Sequence, residues 1–301
     1  MSLSCFALVA SLSAAFAPAM AIADEVKIEQ QGLDAVGNLD LVKGKSLKQD
    51  GVVLLLHDTL GHHRMEIISA LQELLHERGI NSLAITLSLG TNDRRGMYDC
   101  SLEQDHRNED AVEEIRNWIE WLKGQGATNV ILVGHARGAN QVAIYASKNP
   151  DKVVKKAVLI APPAQTASSI SADYEARFRK QLQPILSDAE KFIADKDGSH
   201  LLSGVGFLTC DNARVTSSSF VDYYGANQNL YTPSLLPFIK IPVMVTIGDQ
   251  DPLAAELAPA IEGIPDAQNI SFQVIPGADH FFRDLATEEL ANHMRDFIQK
   301  K

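Results

Sequence analysis

The chain has 301 residues, 46% of them hydrophobic, and carries a net charge of −11. That length and apolar content suit one large α/β domain with its own core. An acidic surface speaks against nucleic acid or an anionic membrane as the main partner, because both recruit a cationic face.

The first 23 residues hold no charged side chain. Phe6 to Ala17 is mostly apolar, and Ala19-Met20-Ala21 and Ala21-Ile22-Ala23 offer small-x-small sites. This pattern predicts a secretory signal peptide over 1–23, cut near Ala21 or Ala23, and a mature chain 24–301 in the periplasm or outside the cell. Its apolar core is shorter than the ~20 residues of a spanning helix, and nothing later reads as transmembrane. No Lys or Arg precedes that core, so a start farther upstream or a retained helical anchor is the alternative. Cys5 lies in the leader, leaving Cys100 and Cys210 in polar loop sequence. In an oxidising compartment an even pair predicts a disulfide, with two unpaired thiols as the other possibility.

Two alternating stretches, Val26–Glu29 and Leu39–Val42, predict an opening antiparallel hairpin. Val52–Leu56 is a continuous apolar run that suits a strand buried on both faces of a parallel sheet. A helix follows over 64–78, with Ile67, Ile68, Leu71, Leu74 and Leu75 on one face and Gly79 as its stop. Ser82–Leu89 is the next strand, then a polar loop over 90–104. A helix over 107–123 places Ala111, Ile115, Trp118, Ile119 and Leu122 at helical spacing. Strand Val130–Val133, helix Arg137–Ser147 and strand Ala157–Ile160 continue the alternation. Residues 164–236 break it; they are more polar, read as mostly helical with a Gly/Ser-rich patch at 199–206, and suggest a lid. A strand at Val243–Ile247, a helix over 253–262, a strand over 270–275 and a helix over 287–299 close the chain. The alternation predicts an α/β fold with a mostly parallel, doubly wound sheet covered by helices.

Three loops carry candidate chemistry. The strand at Val130–Val133 runs into Gly134-His135-Ala136-Arg137-Gly138, a tight turn leading straight into a helix. After the Val243 strand comes Gly248-Asp249-Gln250-Asp251-Pro252, and after the last strand Pro276-Gly277-Ala278-Asp279-His280. Either acidic residue could belong to a solvated turn, and a lone histidine in a loop is usually a surface residue. A fourth loop, His57-Asp58-Thr59-Leu60-Gly61-His62, follows the first buried strand. His57, His62 and His63 gather there without a carboxylate or cysteine set around them, so no metal is expected.

Together these loops resemble the α/β-hydrolase superfamily, serine esterase or lipase type, across residues 50–300. The turn at 134–138 resembles the nucleophile elbow G-x-S-x-G with Ala136 in the serine's place. The resemblance implies a helical lid insertion at 164–236, His280 as the base, and Asp251, with Asp249 second, as the acid that orients it. It implies an oxyanion hole from the backbone amides of Thr59 and Arg137. His135 would pack beneath the site. Asp58 replaces the glycine usual in the His-Gly-x loop, which is unhelpful beside an oxyanion unless the side chain turns away. Dienelactone-hydrolase-like relatives also carry an acidic residue there, which makes the departure a mild one.

No acyl-enzyme can form through an alanine. Losing the nucleophile of a triad costs on the order of 10⁶ in turnover, leaving ~10³–10⁴ over water from binding and the oxyanion hole. The alanine fits either a serine replaced in an active enzyme or a chain that lost its nucleophile, and the leader kept at the start favours the second. Two functions follow as expectations. One is a carboxylic ester or acyl hydrolase of very weak or absent activity, without cofactor, whose partner is a small ester or lipid-like molecule. The other is a non-catalytic protein that binds a ligand or partner in the same pocket.

Overall fold

The computed structural model of the protein describes residues 24–264 and 268–300; the expected leader, 1–23, lies outside them. β1 (Asp24–Gln30) and β2 (Leu33–Asp40) form the opening hairpin, paired antiparallel from Asp24↔Leu39 to Gln30↔Leu33. Gln31 and Gly32 at its tip both have positive φ, 51° and 79°, which matches the twist of a two-residue turn. The second strand therefore lies earlier than Leu39–Val42. A short α1 (Leu47–Asp50), capped by the Ser46 side chain, leads into β3 (Val52–Leu56).

After α2 (Glu66–Glu77) comes β4 (Ser82–Thr86), shorter than the predicted Ser82–Leu89. The ladder stops because the next backbone amides go elsewhere. Leu87 N–H donates to His57 Nε2, and Ser88 N–H to the buried Glu114 carboxylate. The predicted loop holds a two-residue strand, β5 (Glu103–Gln104), before α3 (Asn108–Gly124). β6 (Val130–His135), α4 (Arg137–Ser147) and β7 (Val154–Ile160) follow as expected.

Among the described residues the main sheet has eight strands in the order β1-β2-β4-β3-β6-β7-β10-β11, with β10 (Val243–Gly248) and β11 (Ile270–Ile275) at the far edge. From β4 onward neighbours are parallel. The apolar run of β3 is explained by its two faces. Leu54 and Leu56 join a core with Trp118, Ile119, Leu132 and Val142, while Val53 and Leu55 join one with Ile68, Leu71 and Leu75. Helices α3 and α4 contribute to the first core; α2 and α10 (Leu285–Gln299) contribute to the second. Alternation along a strand buried on both sides needs apolar residues at every position.

The lid corrects one expectation. Residues 164–236 hold α5 (Ala167–Phe178), α6 (Leu182–Ala194), α7 (Ser217–Tyr224) and α8 (Thr232–Leu235), but also a hairpin of β8 (Leu201–Phe207) and β9 (Cys210–Thr216). The Gly/Ser-rich patch at 199–206 is mostly the strand β8. Gly206 is required there, since an added Cβ would sit 2.2 Å from the Phe178 ring. β9 pairs with β5, outside the lid, Glu103↔Arg214 and Gln104↔Val215. Cys100 and Cys210 are joined by a disulfide beside that pairing, Cα to Cα 5.5 Å. The lid is thus fastened to the body by backbone and by covalent bond. The last elements are α9 (Ala254–Glu262), β11 and α10. No helix among the described residues is long and apolar enough to cross a membrane.

Candidate active site

The turn between β6 and α4 is sharp. Ala136 sits at φ 50°, ψ −117°, a region that strains any residue with a Cβ. The two flanking glycines let it form. An added Cβ on Gly134 would lie 2.3 Å from the Gly138 carbonyl oxygen, and one on Gly138 would lie 2.3 Å from the His57 carbonyl oxygen. The strand, turn and helix must touch one another's backbone here, which glycine alone allows.

Asp251 and His280 arrive on the loops after β10 and β11. Asp251 Oδ2 lies 2.7 Å from His280 Nδ1, and Asp251 Oδ1 accepts from Leu253 N–H at 2.9 Å. Asp249 does other work. Its Oδ1 accepts from Gly277 N–H at 2.8 Å and braces the turn that presents His280. Burial alone would disfavour the imidazolium of His280. Its hydrogen bond to Asp251 and the charges of Asp251, Asp58 and Asp279 outweigh that, and the net effect holds its pKa above the ordinary value.

His135 is wholly buried, and its ring lies 5.1 Å from that of His280. Its Nε2–H donates to the His280 carbonyl oxygen at 2.9 Å, while burial pulls its pKa down. A neutral imidazole beneath the elbow thus fixes the backbone of the loop above it, as expected of a packing residue.

Ala136, His280, Asp58, Thr59 and Arg137 line one cavity of about 290 Å³ roofed by the lid. Tyr174, Phe178, Tyr223 and Tyr224 form much of its apolar wall; Phe207 and Phe220 are buried in the core shared with α3 and α4. The Arg137 guanidinium lies over the Tyr223 ring at 5.1 Å and donates from Nε to Thr59 Oγ1 at 3.1 Å. The Tyr223 hydroxyl meets His106 Nδ1 at 3.0 Å. Neither Tyr223 nor His106 carries a signal in the sequence, because each is set by packing between lid and body.

The Thr59 and Arg137 amides do converge, and they are occupied. Asp58 Oδ1 accepts from Thr59 N–H and from Arg137 N–H, the latter at 3.3 Å. The side chain has not turned away, so the replacement of glycine is not mild. The loop that carries it is pinned. Arg94, buried and unforeseen, donates to the carbonyls of Leu60, Gly61, Leu87 and Gly96. Each of the three histidines of the region has a partner within the protein. His57 bridges the Asp58 carbonyl and Leu87 N–H, His63 bonds Thr86, and His62 Nδ1 accepts from Arg64 N–H.

Comparison with known proteins bears on the family and the fold. The sequence profile described as "Alpha/beta hydrolase family" matches residues 53–293. A search of curated proteins finds no match. Among solved structures, Est1E from Butyrivibrio proteoclasticus with bound ferulic acid is similar at TM-score 0.65 and 18% identity, covering 91% of this chain and 97% of that one. A monoacylglycerol lipase from Paleococcus ferrophilus gives 0.61 and 18%, covering 88% and 98%. An E-2-(acetamidomethylene)succinate hydrolase gives 0.58 and 20%, covering 92% and 100%.

Proposed function

Because the chain belongs to the alpha/beta hydrolase family, we propose that it carries the site of a carboxylic ester or acyl hydrolase whose nucleophile position, Ala136, is empty. The observation behind this reading is the 2.7 Å contact of Asp251 with His280, whose imidazole lines the same cavity as Ala136. In that reading His280 is the general base and acid, Asp251 orients it, and the Thr59 and Arg137 amides are the oxyanion donors. The lid and its tyrosines shape the pocket for a small ester or lipid-like molecule. Without a hydroxyl at 136 the protein hydrolyses esters very slowly or not at all. The leader-like 1–23 and the disulfide favour an exported protein of the periplasm or the outside.

The test is Ala136→Ser. It gains hydrolysis of short p-nitrophenyl esters over the parent and becomes labelled at residue 136 by a fluorophosphonate. If neither this variant nor Ala136→Ser/Asp58→Gly shows either property although both are folded, the reading is removed.

A second reading, a non-catalytic binding protein, is favoured by the Asp58 carboxylate on the same two amides. It expects the parent to bind short-chain esters saturably without consuming them, measured by calorimetry and by product release.

A further inference from the structure

An oxyanion hole works when its donors wait, unsatisfied, for charge that develops on the substrate oxygen. Here the two amides that would do so already serve an anion that belongs to the protein. Asp58 Oδ1 takes both Thr59 N–H and Arg137 N–H. We infer that the Asp58 carboxylate is a resident anion of the oxyanion hole, a specificity-determining side chain that closes the two amides to a substrate carbonyl. The inference rests on the hydrolase reading of this site, and it makes the site silent for a second reason besides Ala136.

Three observations carry it. The first is that the backbone carrying the carboxylate is held in place. Its carbonyl oxygen accepts from Gly61 N–H at 3.0 Å and from the His57 ring at 2.6 Å. His57 Nε2 accepts from Leu87 N–H, which leaves the proton on Nδ1 to donate to Asp58. Arg94 holds the following carbonyls of the same loop. The carboxylate is therefore anchored by a fixed backbone, as are the amides it takes.

The second is chemical. A charged acceptor makes a stronger hydrogen bond to backbone N–H than a neutral ester carbonyl does. A substrate must therefore displace the better ligand, and then develop negative charge beside it. The third concerns His280. Asp58 is one of the charges that holds its imidazole toward the protonated form, against burial. A protonated His280 cannot take the proton of a nucleophile. Asp58 thus opposes both halves of the reaction.

Removal of a single oxyanion donor from a hydrolase costs ~10²–10³ in turnover, so freeing these amides is expected to return at least that factor. The experiment compares kcat/KM for p-nitrophenyl butyrate in Ala136→Ser and in Ala136→Ser/Asp58→Gly. Asp58→Ala is the second version, since it keeps a Cβ should glycine loosen the loop. Alongside it, the Arg137 amide proton is followed by NMR through an acid titration in the parent and in Asp58→Ala. Expected are a weak Ala136→Ser, a double variant ~10²-fold or more faster, and an Arg137 amide that titrates in the parent only. A single variant as active as the double overturns the role of Asp58 and leaves the hydrolase reading standing. If neither variant hydrolyses the ester although both are folded, the hydrolase reading falls. The Arg137 amide then decides on Asp58 by itself. An amide that does not titrate in the parent, or titrates equally in Asp58→Ala, overturns the inference in every case.

Discussion

Asp251 Oδ2 and His280 Nδ1 stand 2.7 Å apart, the carboxylate side chain wholly buried and the imidazole 23% exposed. A buried carboxylate is tolerated when its charge is paired and hydrogen-bonded. Here Leu253 N–H and His280 supply those bonds. The pair is complete although the proposed nucleophile position holds an alanine.

The pairing has a sign that can be measured. The folded pKa of His280 is raised, with Asp251 opposing the effect of burial. Its contribution to stability is therefore fully present below the unfolded histidine value, about 6.5, and is lost as pH rises through the higher folded value. In Asp251→Asn the burial effect wins and the titration midpoint drops. The His280 Cε1–H resonance, followed from pH 5 to 9, is expected above 6.5 in the parent and lower in the variant. Equal midpoints would show that Asp251 does not govern the imidazole.

Ala136 keeps the elbow's strained backbone, φ 50°, ψ −117°, without a hydroxyl to show for it. Such a conformation costs ~1–3 kcal/mol in a residue with a Cβ. Against this, Ala136→Gly gives up one buried methyl, ~0.8 kcal/mol. We expect Ala136→Gly to be stabilised by about 1 kcal/mol, or a rise in Tm of ~2–4 °C. A clear fall in Tm contradicts the strain argument.

Gly138→Ala should do the reverse. The new Cβ would meet the carbonyl oxygens of His57 at 2.3 Å and Leu56 at 2.9 Å, both backbone atoms that cannot rotate away. Overpacking of this kind costs ~3 kcal/mol or more. Denaturant unfolding should show that loss, and a variant within ~0.5 kcal/mol of the parent would mean the elbow sits farther from β3.

The Cys100–Cys210 bridge spans a sequence separation of 110. Closing a loop of that length stabilises by about 4–5 kcal/mol in the chain-entropy model. Cys100→Ser/Cys210→Ser is expected to lose most of this in urea unfolding. A thiol titration of the denatured, unreduced full-length chain should find Cys5 alone. Two further thiols would remove the bridge.

Much of this protein was legible before any tertiary structure. Apolar runs such as Val52–Leu56 are long enough, and helical faces such as Ile67 to Leu75 regular enough, to settle strand and helix by periodicity. The order of the three loops then singled out Asp251 and His280 as candidates, and the structure sets them 2.7 Å apart. Less regular segments misled. The strand at 201–207 has a glycine at 206 where Phe178 packs on it, and β4 ends at Thr86 because His57 and Glu114 capture the next amides. Those partners are distant in the chain, so no local pattern could reveal them.

The sequence by itself determined that residue 136 has no hydroxyl and that residue 58 carries a carboxylate, since both are matters of which atoms exist. Only the tertiary structure decided what Asp58 does. Whether its carboxylate faced solvent or the Arg137 amide depended on a contact across 79 residues and on a loop held by Arg94 and His57. Hydrogen bonds of that reach are fixed by packing, and packing is not written in any one stretch of chain.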